Sequence, residues 1–419
     1  MVDRSTYTHL ALVSGLSVPL YAKPEKRTVV GYTGITSRVP AIPSEKDCEG
    51  GKWLAVTGNA YLCSGDGVRL EKRPLSAEVL EAWTQRRAPN VDRPTPYRSA
   101  ALRNGAPIFR RAPTASELAQ VDQGRTPKVV KRVLNGTLLM AYVRTLRAGP
   151  ERLLELLSGE FVREKDIDEF FPEPAFRGEL LGKEASLPLA FTYQDAPVYC
   201  LDGESPEPCG TAAKHARFFG VQLLQEHDQQ LLAVGEGLAI PRHSVRIAEK
   251  ISRPKVIGRK EQWIHIDLTE QTLVAYQGST PVRATLISTG KEGHVTPRGL
   301  YQVNRVYQTK PMNGVDELGP YQVQEVPWTL FFRGNYAMHG AYWHNAFGGP
   351  RSHGCVNLPP ADARWLYYWA QPGLAEGWTA DVRITGPRVY ITGETPVEPR
   401  PTLAVNSDQT KGSDARPLD

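Results

Sequence analysis

The sequence is organised around two short stretches, Met338–Gly340 (MHG) and Ser352–Leu358 (SHGCVNL). Cysteine reacts through its thiolate, and a nearby imidazole is the usual group that removes the thiol proton. Cys355 and His339 are therefore the candidate nucleophile and base. Gly354 permits a tight turn just before the nucleophile, and backbone N–H groups in such a turn can stabilise an oxyanion. The pattern predicts acyl transfer through a cysteine.

These stretches resemble the signature of the L,D-transpeptidase catalytic domain. In that family a histidine and a loop precede Ser/Thr-His-Gly-Cys, an apolar residue and Asn or Arg. The segment Ser352–Asn357 matches every fixed position of the second half. The resemblance covers residues 262–386, and it implies a β-rich catalytic domain of sandwich or barrel type.

The resemblance also implies how the site is arranged. The carbonyl of Gly340 would orient the second ring nitrogen of His339. His353 and Ser352 would shape the turn and help to place Cys355. A purely structural hydrogen-bonding role for His353 is the alternative.

Four further residues are candidates for substrate binding. Asn357 either ties the loop together or contacts substrate. Arg351 is a candidate partner for a substrate carboxylate, with a solvated arginine as the alternative. Tyr342 and Trp343 either cover the acyl site or pack in the core.

A zinc site is the competing interpretation of the same region. His339, His344, His353 and Cys355 are residue types that bind zinc. Their spacing fits no zinc pattern, and the Ser-His-Gly-Cys turn would aim poorly at one ion. We therefore expect no metal and no cofactor.

By the resemblance, Cys355 attacks the carbonyl before the terminal D-alanine of a cell-wall tetrapeptide stem. Backbone amides near Gly354 and Cys355 hold the oxyanion, D-alanine leaves, and a thioester remains. An amine of another stem, or a protein, then accepts the acyl group. With water as acceptor the enzyme is an L,D-carboxypeptidase, and with a mature crosslink as donor an endopeptidase. A catalytically inactive wall-binding protein and a cytosolic cysteine hydrolase are further alternatives.

The five cysteines bear on the compartment. Cys48 and Cys63 lie close in sequence, as do Cys200 and Cys209, and Cys355 is left over. Two disulfides and one nucleophile fit this pattern, with five free thiols in a cytosolic protein as the alternative. The disulfide interpretation predicts an exported protein of the periplasm or cell envelope. The first 25 residues contain no evident signal peptide, so we expect the signal or lipid anchor to be missing from this chain.

Charge and length set broader limits. The formal net charge of +5 is spread over 419 residues, and no basic cluster indicates nucleic-acid binding. No apolar run reaches the ~20 residues of a membrane span. We expect peptidoglycan stem peptides as partners and no nucleic acid. The sequence does not predict an oligomeric state.

Residues 1–90 alternate short apolar runs with turn residues and predict a small β domain similar in pattern to an SH3-like module. Residues 91–251 predict an α+β or β region containing further such modules. A faint repeat links Gly159–Val162 with Gly237–Ile240, each followed by a β-branched residue at the same offset. Such modules either bind the wall or recur by chance in a β-rich chain.

Local signals place several elements. Residues 113–118 predict a capped helix start, Glu151–Leu157 has helical spacing, and Pro360 lies in the first turn of a helix. Residues 252–261 form a basic linker, and residues 262–388 form the catalytic domain, in which residues 381–385 are the final strand. Residues 389–419 predict a disordered, proline-rich tail.

Overall fold

The structure is a computed structural model that describes residues 7–15, 17–35, 37–65, 67–72, 89–203, 205–224, 230–316, 319–370, 373–382 and 384–396. The fold is mainly β with little helix, as predicted. The predicted tail beyond residue 396 lies outside the described residues. Within the described ranges, no helix is long and apolar enough to cross a membrane.

The described part of the N-terminal region contains seven strands that pair in the order β7–β1–β4–β5–β6–β2–β3. Its core is mostly aliphatic, includes the fully buried side chains of Leu20 and Leu62, and also contains Trp378 from the last region. The predicted disulfide between Cys48 and Cys63 joins the ends of β4 and β6. The strands are β1 (His9–Val13), β2 (Val18–Tyr21), β3 (Val29–Thr33), β4 (Arg38–Cys48), β5 (Gly51–Val56), β6 (Ala60–Cys63) and β7 (Val68–Lys72).

The next region has a separate core and one short helix. The helix begins as predicted, because Thr114 caps it and exchanges hydrogen bonds with Glu117 in a capping box. The elements are β8 (Arg98–Leu102), β9 (Pro107–Phe109), α1 (Ala115–Asp122), β10 (Val130–Val133), β11 (Thr137–Ala148), β12 (Glu151–Leu156), β13 (Phe161–Arg163) and β14 (Ile167–Phe171).

The helical spacing of Glu151–Leu157 gave a wrong prediction, because this segment is the strand β12. It pairs with β11 on one side and β13 on the other. Its leucines Leu153 and Leu154 are both buried, in two different apolar clusters. A strand that is buried on both faces lacks polar alternation, so its spacing resembles that of a helix.

The third region carries the second copy of the faint repeat. In both copies a strand leads through a short 3-10 turn, Glu164–Asp166 or Arg242–Ser244, into the next strand. The second predicted disulfide, between Cys200 and Cys209, joins β17 to β18. The strands are β15 (Glu179–Leu180), β16 (Leu189–Thr192), β17 (Ala196–Cys200), β18 (Glu207–Ala212), β19 (Arg217–Phe219), β20 (Gln222–Leu224), β21 (Leu231–Gly235), β22 (Leu238–Pro241) and β23 (Val245–Ala248).

The last region packs a six-stranded sheet, in the order β15–β26–β25–β24–β33–β27, against strands β28–β31 and one helix. The helix begins at Pro360, as predicted. The elements are β24 (Gln262–Asp267), β25 (Thr272–Gln277), β26 (Thr280–Leu286), β27 (Gly299–Gln302), β28 (Arg305–Asp316), β29 (Gly319–Arg333), β30 (Tyr336–Gly340), β31 (Val356–Leu358), α2 (Pro360–Ala370), β32 (Ala380–Asp381) and β33 (Arg388–Thr392).

Two details at the end of this region differ from the sequence-based expectation. Of the predicted final strand over residues 381–385, the described residues contain only the end of the short β32, and the last strand among the described residues is β33. Because β33 pairs with β24 on one side and β27 on the other, ordered structure continues past the predicted boundary at residue 388.

A buried carboxylate fixes α2 behind the site. Asp362 is 1% exposed and forms an ion pair of 2.6 Å with Arg283 of β26. It also accepts hydrogen bonds from the Thr285 hydroxyl and the Gly178 N–H. The helix that follows the cysteine stretch is thereby tied to the six-stranded sheet.

Candidate active site

Two adjacent parallel strands bring the two motif stretches together. His339 in β30 lies opposite Asn357 in β31, and Cys355 directly precedes β31. A loop over residues 341–355 connects the two strands. The thiol and the imidazole therefore reach the same place although a loop separates them in sequence.

Both groups line one cavity of about 350 Å³. Its polar side carries the histidines and the cysteine stretch, and its opposite side is largely apolar. The lining residues are Thr137, Leu139, Met312, Tyr321, Val323, His339, Trp343, His344, Arg351, Ser352, His353, Cys355 and Asn357. Among these described lining residues Arg351 is the one permanently charged side chain, so the cavity suits a ligand that bears a carboxylate.

His339 is buried, and the carbonyl group of the next residue contacts its ring. Its Nδ1 lies 3.4 Å from the Gly340 carbonyl oxygen, which leaves Nε2 as the nitrogen that can exchange a proton. Burial lowers the pKa of His339 to about 4, and the hydrogen bond to Gly340 opposes this shift. The imidazole is therefore uncharged at neutral pH and can accept a proton.

Cys355 is the free cysteine and is only partly exposed. Its thiol donates to the Asn335 carbonyl over 3.7 Å. Burial raises the pKa of Cys355, and the Ala337 N–H opposes this shift. Together with the low pKa of His339, these surroundings favour a neutral thiol beside a neutral imidazole over a preformed thiolate–imidazolium pair.

The turn before Cys355 is held by Ser352. The Ser352 hydroxyl donates to the Cys355 carbonyl over 2.5 Å and accepts from the Gly354 N–H over 3.0 Å. Gly354 has φ of +113°, and a Cβ there would lie 2.7 Å from the Tyr336 ring. The predicted tight turn is thus present and requires glycine.

The hydrogen bond to Ser352 bears on the oxyanion donors, which are predicted to be backbone amides near Gly354 and Cys355. The Gly354 N–H is already bonded to the Ser352 hydroxyl. A donor that is occupied by a side chain would have to exchange partners before it could bind an oxyanion. The Cys355 N–H is the remaining candidate from the predicted pair.

The glycine-rich loop between β26 and β27 supports the cysteine stretch from behind. The buried Thr296 hydroxyl donates to the Gly354 carbonyl and accepts from the Gly290 N–H, each over 2.9 Å. The backbones of Ser288 and Asn357 exchange two hydrogen bonds. The motif itself did not indicate Thr296.

Of the four predicted substrate-binding residues, three line the cavity and one does not. Asn357 contacts the His344 ring through its side-chain amide, 3.0 Å from Nε2. Trp343 and Arg351 line the cavity, with the Trp343 ring 5.8 Å from that of His339. Tyr342 does not line it, because it is buried and donates its hydroxyl to the Gln324 carbonyl.

His353 lies at the mouth of the site. Its ring stacks on Tyr321, with centroids 5.3 Å apart, and contacts the edge of the His294 ring. It therefore links the cysteine stretch to the β28–β29 hairpin. This contact fits the predicted positioning role, which stays a prediction.

Sequence reasoning missed several cavity residues. His344 was weighed only as a zinc ligand, yet it lines the cavity, and burial lowers its pKa to about 4. Tyr321 and Met312 come from the long hairpin, whose course no motif indicates. Thr137 and Leu139 come from a different region of the chain, and no sequence signal connects them to the site.

Comparison with known proteins agrees with the motif. Residues 261–391 match the family model of the L,D-transpeptidase catalytic domain, YkuD, which confirms the resemblance predicted over residues 262–386. No curated protein matches the chain.

Three similar solved structures are L,D-transpeptidases. That of Enterococcus faecium is 20% identical, with 35% of this chain and 55% of that chain covered and a TM-score of 0.27. That of Stackebrandtia nassauensis is 23% identical, covering 33% and 59%, with a TM-score of 0.24. That of Xylanimonas cellulosilytica is 28% identical, covering 34% and 65%, with a TM-score of 0.22. The chain spans less than two thirds of each of these three.

Proposed function

We propose that this chain, whose residues 261–391 belong to the L,D-transpeptidase catalytic-domain family, is an exported peptidoglycan L,D-transpeptidase. The observation that carries the proposal is one cavity, lined mostly by the matched residues, onto which the free thiol of Cys355 and the uncharged imidazole of His339 both open. Arg351 in the same lining suits the carboxylate of a stem peptide.

In the first half-reaction, the neutral thiol of Cys355 loses its proton at the same time as its sulfur attacks the substrate carbonyl group. His339 takes the Cys355 proton on Nε2 while the sulfur bonds to the carbonyl carbon before the terminal D-alanine. The tetrahedral oxyanion accepts from backbone N–H groups of the cysteine turn, with the Cys355 N–H as the first candidate. His339 then protonates the leaving amine, D-alanine departs, and a thioester remains on Cys355.

In the second half-reaction an amine attacks the thioester and gives a proton to His339. The thiolate of Cys355 leaves and recovers that proton, so the enzyme returns to its starting state. An amine of a second stem yields a 3→3 crosslink, and an amine of a protein yields an attached protein. Water in place of the amine gives a carboxypeptidase.

Both disulfides support the export part of the proposal. Cys48–Cys63 and Cys200–Cys209 are formed, and disulfides persist in oxidising compartments such as the periplasm or the cell exterior. Peptidoglycan lies in the same compartment, so the proposed substrate and the disulfides point to the same location.

Mass spectrometry of the intact protein with disaccharide-tetrapeptide tests the proposal. We expect a thioester adduct on Cys355 and a 3→3 crosslinked dimer. Cys355→Ala should give neither product. His339→Gln should slow adduct formation about 1000-fold, because removal of a general base costs about 10²–10⁴ in rate.

Other outcomes separate the alternatives. An adduct with release of tripeptide alone would identify a carboxypeptidase, and cleavage of a purified crosslinked dimer would identify an endopeptidase. A folded wild-type protein that forms no adduct with any stem peptide would overturn the peptidoglycan assignment.

A further inference from the structure

Part of the cavity wall comes from outside the matched domain. Thr137 and Leu139 of β11 line the cavity and lie well upstream of residues 261–391. They face the polar side of the site together with Met312 and Val323. The matched domain alone would supply only part of this side of the cavity.

Backbone pairing holds β11 in this position. It lies parallel to β29, with Thr137 opposite Tyr321 and Leu139 opposite Val323. Beyond this pairing, the side-chain oxygen of Gln324 accepts from the N–H of Ala141 over 3.1 Å. The β28–β29 hairpin thus extends the sheet of the upstream region. We call this hairpin, together with β11, the roof of the cavity.

The alternation of β11 assigns Leu139 to the cavity side. Its neighbours Leu138 and Met140 are fully buried in the core of the upstream region. Leu139 points the other way, is only partly buried, and packs with Val323 and Trp343. Leu139 is therefore not needed for the core of its own region, and its exposed surface faces the ligand space.

A glycine makes the close approach possible. Gly136 directly precedes β11 and has φ of +92°. A Cβ at Gly136 would lie 2.2 Å from the Pro320 carbonyl oxygen at the start of β29. Any larger residue would push the two strands apart.

We propose that β11 is a specificity-determining part of the substrate site. Leu139 and Thr137 contact the aliphatic portion of the donor's third side chain, and the pairing of β11 with β29 fixes the height of the roof above Cys355. This inference rests on the proposed function for the identity of the donor. The role of β11 as the roof of the cavity does not depend on that identity.

Leu139→Ala and Gly136→Val test the two parts, with Arg147→Ala as the matched control. Arg147 is exposed at the far end of the same strand. Adduct formation is measured with two tetrapeptide donors that carry lysine or alanine as the third residue. We expect Leu139→Ala to reduce the preference for lysine at least fivefold and Arg147→Ala to leave it unchanged.

A second measurement reports on the roof without any substrate. Cys355 is labelled at one alkaline pH with iodoacetamide and with a bulky fluorescein maleimide. We expect Gly136→Val and Leu139→Ala to raise the maleimide-to-iodoacetamide rate ratio at least fivefold. Circular dichroism of each variant checks that it is folded.

The outcomes separate the two proposals. If the wild type forms no adduct, the proposed function fails, and the labelling ratio still decides whether β11 covers Cys355. If the wild type forms adducts but selectivity and labelling ratio are both unchanged in Leu139→Ala, this inference is overturned. Should Gly136→Val not fold, Leu139→Ala alone decides.

Discussion

The floor and the roof of the cavity are built from different interactions. The floor is the cysteine stretch, in which buried hydroxyl groups of Ser352 and Thr296 hold the turn through hydrogen bonds. The roof is the β28–β29 hairpin with β11, where apolar side chains such as Val323 and Leu139 meet the ligand space. Hydrogen bonds fix distances and angles, whereas apolar contact tolerates changes of shape.

This difference assigns separate tasks to the two sides. The floor needs one geometry, because the thiol and an oxyanion donor must face the same carbonyl group. The roof can vary with the substrate without disturbing that geometry. Changes in the floor should therefore affect the rate of chemistry, and changes in the roof should affect selectivity.

The largest effect among the following tests should come from Ser352→Ala. The change leaves the Cys355 carbonyl and the Gly354 N–H without their partner in a buried turn, and an unmade buried hydrogen bond costs about 1–3 kcal/mol. If this free energy adds to the activation barrier because Cys355 is less well positioned, adduct formation slows about 10- to 100-fold. Ser158→Ala, at an exposed turn, is the matched control. An unchanged rate in Ser352→Ala would mean that the hydroxyl does not hold the floor.

The pH dependence of alkylation tests the charge state of the floor. Burial raises the pKa of Cys355, so at any pH below that value less thiolate is present than for an ordinary cysteine. Iodoacetamide reacts with the thiolate, and its rate should rise about tenfold per pH unit from pH 6 to pH 8. A flat rate over this range would instead show a thiolate–imidazolium pair in the free protein.

The smallest effect should come from Tyr342→Phe. Tyr342 packs behind the roof, and its hydroxyl bonds to the Gln324 carbonyl outside the cavity. We expect less than a threefold change in KM for the donor, with a loss of about 1 kcal/mol in the free energy of unfolding. A tenfold rise in KM at unchanged stability would restore Tyr342 as a substrate contact.

The floor could be predicted from the sequence because its residues are close together in the chain. Ser352, Gly354 and Cys355 form one motif, and a tight turn with glycine before the nucleophile follows from their order. The His339 Nδ1 lies 3.4 Å from the Gly340 carbonyl oxygen, and the orienting role that the resemblance implies for this carbonyl stays a prediction. The bond between the Ser352 hydroxyl and the Gly354 N–H was not predictable, because it depends on the side-chain rotamer in the folded turn.

The roof could not be predicted, because it joins distant parts of the chain. Thr137 pairs with Tyr321 only through tertiary structure, and neither residue belongs to a motif. The same reason explains the error at Glu151–Leu157. Neighbouring strands and apolar clusters on both faces bury Leu153–Leu156, and a single sequence does not reveal such partners.

The two disulfides lie within short stretches of sequence, with separations of 15 and 9 residues, and Cys355 follows both. Closing such short loops is fast and costs little entropy. The short separations thus favour each bridge between its own two cysteines over a bridge to the distant Cys355, and once both bridges are formed the nucleophile has no unpaired cysteine of this chain left to bond with.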